Sequence, residues 1–549
     1  MSKRHLNIVF SVFIALFLLK NTAFSQYAPE EEWAARFNGA TSGNDFCYDI
    51  EADNSGNIIA TGLAFMNSGR KIVTIKYNPL GTIEWIAEYN PAPINESTEQ
   101  VKLTIDNSGN VLVTAPSAGN GDDIIVLKYN NNGNLLWDKR YSSPGNFADE
   151  PRSITTDNSG NVYVCGRVWM GSNGDDFITL KYSPAGDLLW SKSYNGTGNN
   201  NDQANSITVD NSGNVFVTGQ SFGVGTNRDF LTIKYSSSGD SLWNKRYSGT
   251  SNRDDIPTVI KILNGDPVVS GYSYNIMTRN DFTTIRYNSQ NGNELWTAKY
   301  NGPTDSTERA YSMHIDNSGN IFIAGDGFKS TANNLDMLVV KYNSSGVQQW
   351  FAYYNHPTLW IDRAFVVKTD DFGKVYLGGY SWVTNREYDY NIVCFETDGT
   401  FFWNITYNGP FFKTDLLYDM VIVNNRYIYA GGYSRGITSN NDYAIVKFSQ
   451  QVNINNISSE IPSGFNLYQN YPNPFNPVTK IKFDIPQNSF TTLKLYDISG
   501  KEINTLISKD LSAGKYEYTL NASDLNSGIY FYVLYSGDYK FTKKLVLIK

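Results

Sequence analysis

Between residues 206 and 247, apolar and polar positions alternate in four short runs, "SITV", "VFVTG", "FLTIKY" and "SLWNKRY". A period of two over such lengths predicts half-buried β-strands. "DNSGN" separates the first two runs and "SSSGD" the last two. In the first, Asp caps the start of a tight turn, and in both Gly accepts the left-handed conformation that closes a hairpin. The four runs therefore form one antiparallel unit. The repeated region shows no helical periodicity.

The same unit returns along most of the chain. Trp stands at 33, 85, 137, 190, 243, 296, 350 and 403, at steps of 52 to 54 residues. "DNSGN" begins at Asp53, Asp106, Asp157, Asp210 and Asp316, with degraded forms from Leu263, Asp370 and Asn424. Lys-Tyr recurs at 76–77, 128–129, 181–182, 234–235 and 341–342. Four strands repeating at about fifty residues predict a β-propeller. Seven units are complete. The eighth, from about Asp415 to Phe448, lacks a Trp strand, and an orphan one, "EEWAARFNG", precedes the first unit. If that strand completes the last unit, the ring closes with eight blades; seven is the alternative. The units resemble a bacterial β-propeller repeat family with "DxxGNxYVTG" followed by "DxxxxKYxxxGxxxW", over residues 27–449. The resemblance implies the fold and leaves the activity open.

Two segments flank the repeats. At the start, Lys3 and Arg4 precede the apolar run "LNIVFSVFIALFLL" and the small-residue site Ala23-Phe24-Ser25, a pattern that predicts a signal peptide over 1–25. At the other end, residues 450–463 are polar and read as a linker, followed at 464–549 by alternating runs expected to form a small immunoglobulin-like β-sandwich. This last segment resembles the type A sorting domain of the type IX secretion system. The motifs that carry the likeness are "NYPNPFNP" (Asn470, Tyr471, Pro472, Asn473, Pro474, Phe475, Asn476 and Pro477), "LYDISGKEI" (495–503), "LNSGIYFYVL" (525–534) and the basic end "KFTKKLVLIK" (540–549). It implies export in a Bacteroidota-like bacterium, with the secretion machinery as a partner, and delivery to the medium or the cell surface at the outer membrane. No transmembrane segment is expected in the mature chain.

Charge and composition narrow the function further. The chain of 549 residues carries a formal charge of −8, and loss of Lys3, Arg4 and Lys20 with the signal peptide leaves −11. With no basic run, nucleic acid is not an expected partner. Cys47, Cys165 and Cys394 are too few and too scattered for a disulfide framework. Beyond the signal peptide only His314 and His356 remain, so His-dependent catalysis has little to work with. One GxSxG occurs at Gly432-Tyr433-Ser434-Arg435-Gly436, but a strand rather than a helix follows it, and no His comes later. "SQNGNELWTAKYNG" resembles repeats of pyrroloquinoline-quinone propellers, yet the adjacent cysteines of many such enzymes are missing. No catalytic residue and no cofactor are expected; Ca²⁺ is conceivable without a specific motif.

What repeats chemically is acid. One acid precedes each "DNSGN" position by eight residues (Asp45, Asp149, Asp202, Asp255, Glu308, Asp362, Asp415). Another precedes Lys-Tyr by five (Asp123, Asp176, Asp229, Asp281, Asp336, Asp389, Asp442). Strand parity puts both sets on the face opposite the tight turns, with the longer loops. They either lock backbone N–H groups or form a ring for Ca²⁺ or sugar hydroxyls. Three tryptophans outside the repeat, Trp169, Trp360 and Trp382, fall in loops of the same face, with Asp362 and Asp389 beside two of them. Aromatic rings next to carboxylates suit a carbohydrate. The expected function is an exported, non-enzymatic binding or adhesion module for polysaccharide or another surface polymer, or a surface protein. A carbohydrate-active enzyme using loop-face carboxylates and a purely structural surface protein are the alternatives.

Overall fold

The computed structural model describes residues 29–549 except 41–42, 68, 91–100, 119–121, 145–146, 172–173, 331–333, 358–359, 385, 438–439, 451–453, 459 and 523–524. The expected signal peptide lies outside the described residues. All regular structure among the described residues is strand. The chain divides into compact units, one spanning Glu31–Phe448 and another containing Ser449–Lys549.

The larger unit holds eight four-stranded antiparallel sheets. The fourth consists of Gln203–Val209, Val215–Phe222, Arg228–Tyr235 and Ser241–Tyr247, close to the runs read from the sequence. The first begins at Phe46–Ala52, and the eighth contains Asp415–Val423, Tyr427–Arg435 and Asn441–Ser449. The orphan strand Glu30–Phe37 pairs with Asn441–Ser449 and completes the eighth sheet. The first strand of each sheet touches the first strand of the next, and Asp415–Val423 touches Phe46–Ala52, so the series closes on itself.

The repeated residues explain how neighbouring sheets are joined. In "DNSGN", Asp53 Oδ1 accepts the N–H groups of Ser55 (2.8 Å) and Asn57 (2.9 Å), which fixes the turn. The repeat Trp indole donates to a turn carbonyl of the following sheet: Trp85 to Asn131 (2.9 Å), Trp137 to Pro184 (3.1 Å) and Trp243 to Ser289 (3.1 Å). The repeat Lys reaches the same turn, as Lys234 does to the Ser289 carbonyl at 2.8 Å. Trp33 and Lys447 both hold the Pro79 carbonyl, at 3.2 and 2.9 Å, so the closing joint copies the internal ones. The turn Gly lies flat on the preceding Trp. A Cβ on Gly133 would stand 2.6 Å from the Trp85 ring, at a φ of +79°, so this position requires Gly.

The inner edges of the first strands are also covered. Asp49 Oδ2 accepts the Leu103 N–H (2.8 Å), Asp419 Oδ2 that of Ile50 (3.2 Å), and Ser312 Oγ that of Val367 (3.2 Å). Each side chain thus satisfies an edge donor of the adjoining sheet.

The second unit has two four-stranded sheets sharing one core, in which Ile481 and Phe483 of one sheet meet Leu493 and Tyr532 of the other. Part of the segment expected as a linker is structured. Ile454–Ser458 forms an edge strand on Gly514–Asn521. Its polar composition suits an edge that faces water on one side, which is why it read as linker.

Candidate functional site

All seven of the first acids are wholly buried. Asp45 accepts the N–H groups of Gly39 (2.7 Å) and Phe65 (2.6 Å); Asp202 accepts those of Gly196 and Phe222, the latter at 2.9 Å; Asp415 accepts those of Gly409 (2.7 Å) and Arg435 (3.1 Å). Each carboxylate ties the loop entering its first strand to the end of the second strand. Burial pushes these groups up: Asp45 and Asp255 to about 6, Asp362 to about 7 and Glu308 to about 8.

The second acid faces the fourth strand. Where that strand supplies Arg, an ion pair forms: Asp123–Arg140 (2.8 Å), Asp229–Arg246 (2.9 Å) and Asp442–Arg36 (3.0 Å). The first sheet exchanges the charges, with Lys71 in the acid position and Glu88 in the Arg position, 2.8 Å apart. In these four sheets the two positions pair opposite charges. Among the described residues no group of three or more His, Cys, Asp or Glu side chains is placed to hold a metal ion.

Of the residues singled out in the sequence, Trp360 and Trp382 come together, with ring centroids 5.8 Å apart. Trp360 is 55% exposed and Trp382 half-buried. Trp169 and Trp382 lie at the ends of the strands Val162–Trp169 and Val375–Val383 rather than in loops, and Trp169 pairs with Phe147 at 5.6 Å. Asp362 and Asp389 are wholly buried, so neither offers its carboxylate to a ligand at the surface. Asp362 holds the His356 N–H at 2.9 Å. Asp389 has a 3.8 Å ion pair with Arg386, and burial, with Asp415 nearby, pushes it to about 7.

A longer aromatic row continues from the tryptophan pair. Trp382 meets Tyr388 edge-on at 4.9 Å, Tyr388 meets Tyr380 at 4.8 Å, and Tyr380 meets Phe365 at 5.5 Å. Phe365 lies 5.8 Å from Tyr311 and 6.1 Å from Tyr418, and Tyr418 lies 5.4 Å from Tyr48. The row runs from the exposed loop rim of the seventh sheet to the first strands of the sixth, seventh, eighth and first sheets. Tyr48, Tyr311, Phe365 and Tyr418 share one position of the repeat, three residues after the first acid. That shared offset was the sequence signal for the row.

At the other end of the first strands, Glu51, Lys261, His314 and Lys368 occupy another common position. Burial, then Lys368 and Lys261, press His314 down to about 4, so it is neutral at physiological pH. Ser434 of the GxSxG stretch is buried in the strand Tyr427–Arg435 and accepts a hydrogen bond from Arg36, and the next element is again a strand.

The "NYPNPFNP" residues do structural work within the second unit. Buried Asn470 donates from Nδ2 to Pro472 O (3.1 Å) and Thr479 Oγ1 (3.0 Å). Asn473 Oδ1 accepts the Val546 N–H at 2.9 Å, and Phe475 exchanges backbone bonds of 3.0 Å with Val546 and Ile548. The motif thereby anchors the last strand, Tyr539–Leu547, while Tyr471 is left 81% exposed.

Comparison with known proteins agrees with this layout. Residues 144–177 and 192–223 match the β-propeller repeat model. Residues 469–549 match the secretion system C-terminal sorting domain. The chain carries β-propeller repeats. It carries a type IX sorting domain, and so is a secreted or cell-surface protein of a Bacteroidota-like bacterium, handled by that secretion system. A curated relative, an uncharacterized WD repeat-containing protein of Acanthamoeba polyphaga mimivirus, is 25% identical over 365 residues, which are 59% of this chain and 25% of the relative. The chain thus spans about a quarter of that relative's length. Among solved structures, a fungal alcohol oxidase in complex with copper aligns with a TM-score of 0.41 at 12% identity, covering 95% of this chain and 100% of its own. A protein of unknown function from Dyadobacter fermentans aligns with a TM-score of 0.39 at 8% identity, covering 77% of this chain and 99% of its own. No helix among the described residues is long and apolar enough to cross a membrane.

Proposed function

We propose that the eight sheets are the blades of one ring acting as a binding module, without turnover, for a polysaccharide or another surface polymer. The aromatic row from Trp360 and Trp382 to Phe365 is the platform. In this reading the second unit is an immunoglobulin-like sorting sandwich, residues 1–25 are a signal peptide, and the mature protein works outside the cell or against the outer membrane.

The observation that carries the reading is the pairing of Trp360 with Trp382 at the loop rim, continued inward by Tyr388 and Tyr380. The exposed ring of Trp360 and the half-buried rings of Trp382 and Tyr388 offer surfaces for stacking on sugar faces, with buried Tyr380 supporting them from below, and the loop backbone supplies polar contacts. The absence of turnover is supported by the repeat carboxylates, most of which are engaged by backbone N–H groups or by cationic side chains. All of them are also buried, which keeps them from a glycosidic bond held at the surface.

The test is binding of the purified full chain to an array of polysaccharides. Trp360→Ala/Trp382→Ala is expected to weaken binding at least tenfold with an unchanged melting temperature. Unchanged binding by that variant removes the platform. Release of shortened sugars during incubation would replace binding by catalysis.

A further inference from the structure

The aromatic row ends beside two arginines that share one acid. Arg309 begins the first strand of the sixth sheet, and Arg363 stands second in the first strand of the seventh. Asp326, opposite Arg309 in register, is buried. Its Oδ2 is taken by Arg363 Nε at 2.8 Å and by the Tyr311 hydroxyl at 3.1 Å. The Arg309 guanidinium makes no hydrogen bond and no ion pair within 4.0 Å with any described residue, although it is only partly exposed. Arg309 stands two residues before Tyr311 on the same strand, and its charge, with that of Arg363, works against the desolvation of Asp326.

The charges at the same end of the third sheet are balanced. In the third sheet, Arg167 meets Glu150 and Asp175, both at 2.6 Å, and Arg152 meets Glu150 at 3.3 Å. Glu308, next to Arg309 in sequence, is held largely neutral because burial pushes it to about 8. Two guanidinium groups therefore face the single acid Asp326, an excess of one positive charge in a chain whose net charge is −8. A guanidinium accepts a carboxylate or sulfate through two parallel N–H bonds, and it holds such a group best where water is partly excluded.

We infer that the aromatic row and Arg309 together form a subsite for an acidic sugar, its ring against Tyr311 and Phe365 and its carboxylate or sulfate on Arg309. This rests on the polymer-binding reading above and names the class of polymer. The neighbouring Arg363–Asp326 pair fixes the site sterically without competing for the anion, since Arg363 is already neutralised.

The experiment compares the full chain on polygalacturonate, dextran sulfate and neutral dextran at low and moderate salt. The expected result is binding to one of the acidic polymers about tenfold or more tighter than to dextran, weakening as salt rises. The polymer preferred tells carboxylate from sulfate. Arg309→Gln is expected to bring acidic and neutral polymers to the same affinity, and Arg309→Lys to recover part of the difference. Arg309→Lys, which keeps a positive charge beside buried Asp326, should melt with wild type, and Arg309→Gln should remain folded with a slightly lower melting temperature. Equal affinity for acidic and neutral polymers, or unchanged acidic binding by Arg309→Gln, overturns the inference while leaving polymer binding in place. Failure to bind any polymer, acidic or neutral, overturns both.

Discussion

The two faces of the propeller spend the same residue types differently. On the turn face, Asp53 and Asp106 are partly screened carboxylates. Burial alone would raise them, but hydrogen bonds from Asn57 and Asn110 and from Lys76 and Lys128 outweigh it and hold both below the usual value. On the loop face, Asp362, Asp389 and Glu308 lie deeper, and burial wins. The tryptophans divide in the same way. The repeat tryptophans from Trp33 to Trp350 bond to the next sheet's turn, whereas Trp360 and Trp382 meet one another. The difference teaches that identity of the repeats marks the joints between sheets, and departure from the repeat marks where a ligand could be received.

The sharpest way to break this comparison is to remove one tryptophan from each face. Trp243 is 9% exposed, stacks against Phe216 and Tyr287 and holds the Ser289 carbonyl. Trp243→Ala is expected to cost about 3–5 kcal/mol, by loss of packing and of a joint between sheets. Trp360→Ala is expected to stay within about 0.5 kcal/mol of wild type, as surface changes do. Urea unfolding of the two variants decides it. Equal losses would mean that the loop-face rings are as structural as the repeat ones.

Much of this division was legible in the sequence. Trp spacing and turn motifs specified the strands, and the orphan strand at Glu30–Phe37 marked the closure, because a missing strand at one end and a spare at the other have one economical solution. The joint itself was not legible: that Trp85 bonds to Asn131 depends on how one sheet tilts against the next. The same limit applies to the site. Trp360 and Trp382 stood out because they break the repeat. Phe365, Tyr311 and Tyr418 did not, because they alternate like any half-buried strand residue and converge only when four sheets meet. Asp362 and Asp389 were chosen for proximity in sequence, but the strand entrance turns both inward.

The acids offer the next contrast. Glu308 has a folded value raised from 4.5 to about 8, so the folded chain binds a proton that the unfolded chain has released. That contribution is fully present below 4.5 and is lost as pH rises toward 8, with a slope of at most about 1.4 kcal/mol per pH unit for one group. Asp362 and Asp389 act in the same direction up to about 7. Asp53 and Asp106 act oppositely: their contribution is present above the usual aspartate value and is lost as pH falls below it. Stability is therefore expected to peak in the mildly acidic range and decline toward pH 8. Glu308→Gln, which keeps an acceptor for the Gly302 N–H, should flatten the alkaline side of the curve. A variant curve that parallels wild type from pH 5 to 8 would show that Glu308 is already ionised.

The smallest effect is the most specific test of what the repeated acids are for. Lys71 and Glu88 hold, with exchanged charge, the positions of Asp123 and Arg140 in the second sheet and of Asp229 and Arg246 in the fourth. The registers agree, since Val73 faces Glu88 as Ile125 faces Arg140 and Leu231 faces Arg246. One further residue follows the charge. Arg140 and Arg246 also donate to Ser117 (2.7 Å) and Ser221 (2.6 Å), and the first sheet, which has no Arg to satisfy, carries Ala64 at that place. If the positions exist to pair charges, Lys71→Asp alone sets two carboxylates together and costs about 0.5–1 kcal/mol at this partly exposed site. Adding Glu88→Arg should recover most of that loss, and adding Ala64→Ser the remaining few tenths, a non-additive gain that a double-mutant cycle reads directly. A ligand ring built from these acids makes the opposite demand: Lys71→Asp would complete the set and tighten binding, while Glu88→Arg would neither rescue stability nor be needed. Denaturation midpoints of the single, double and triple variants separate the two, because only a pairing role makes the second and third substitutions worth more in the presence of the first than alone.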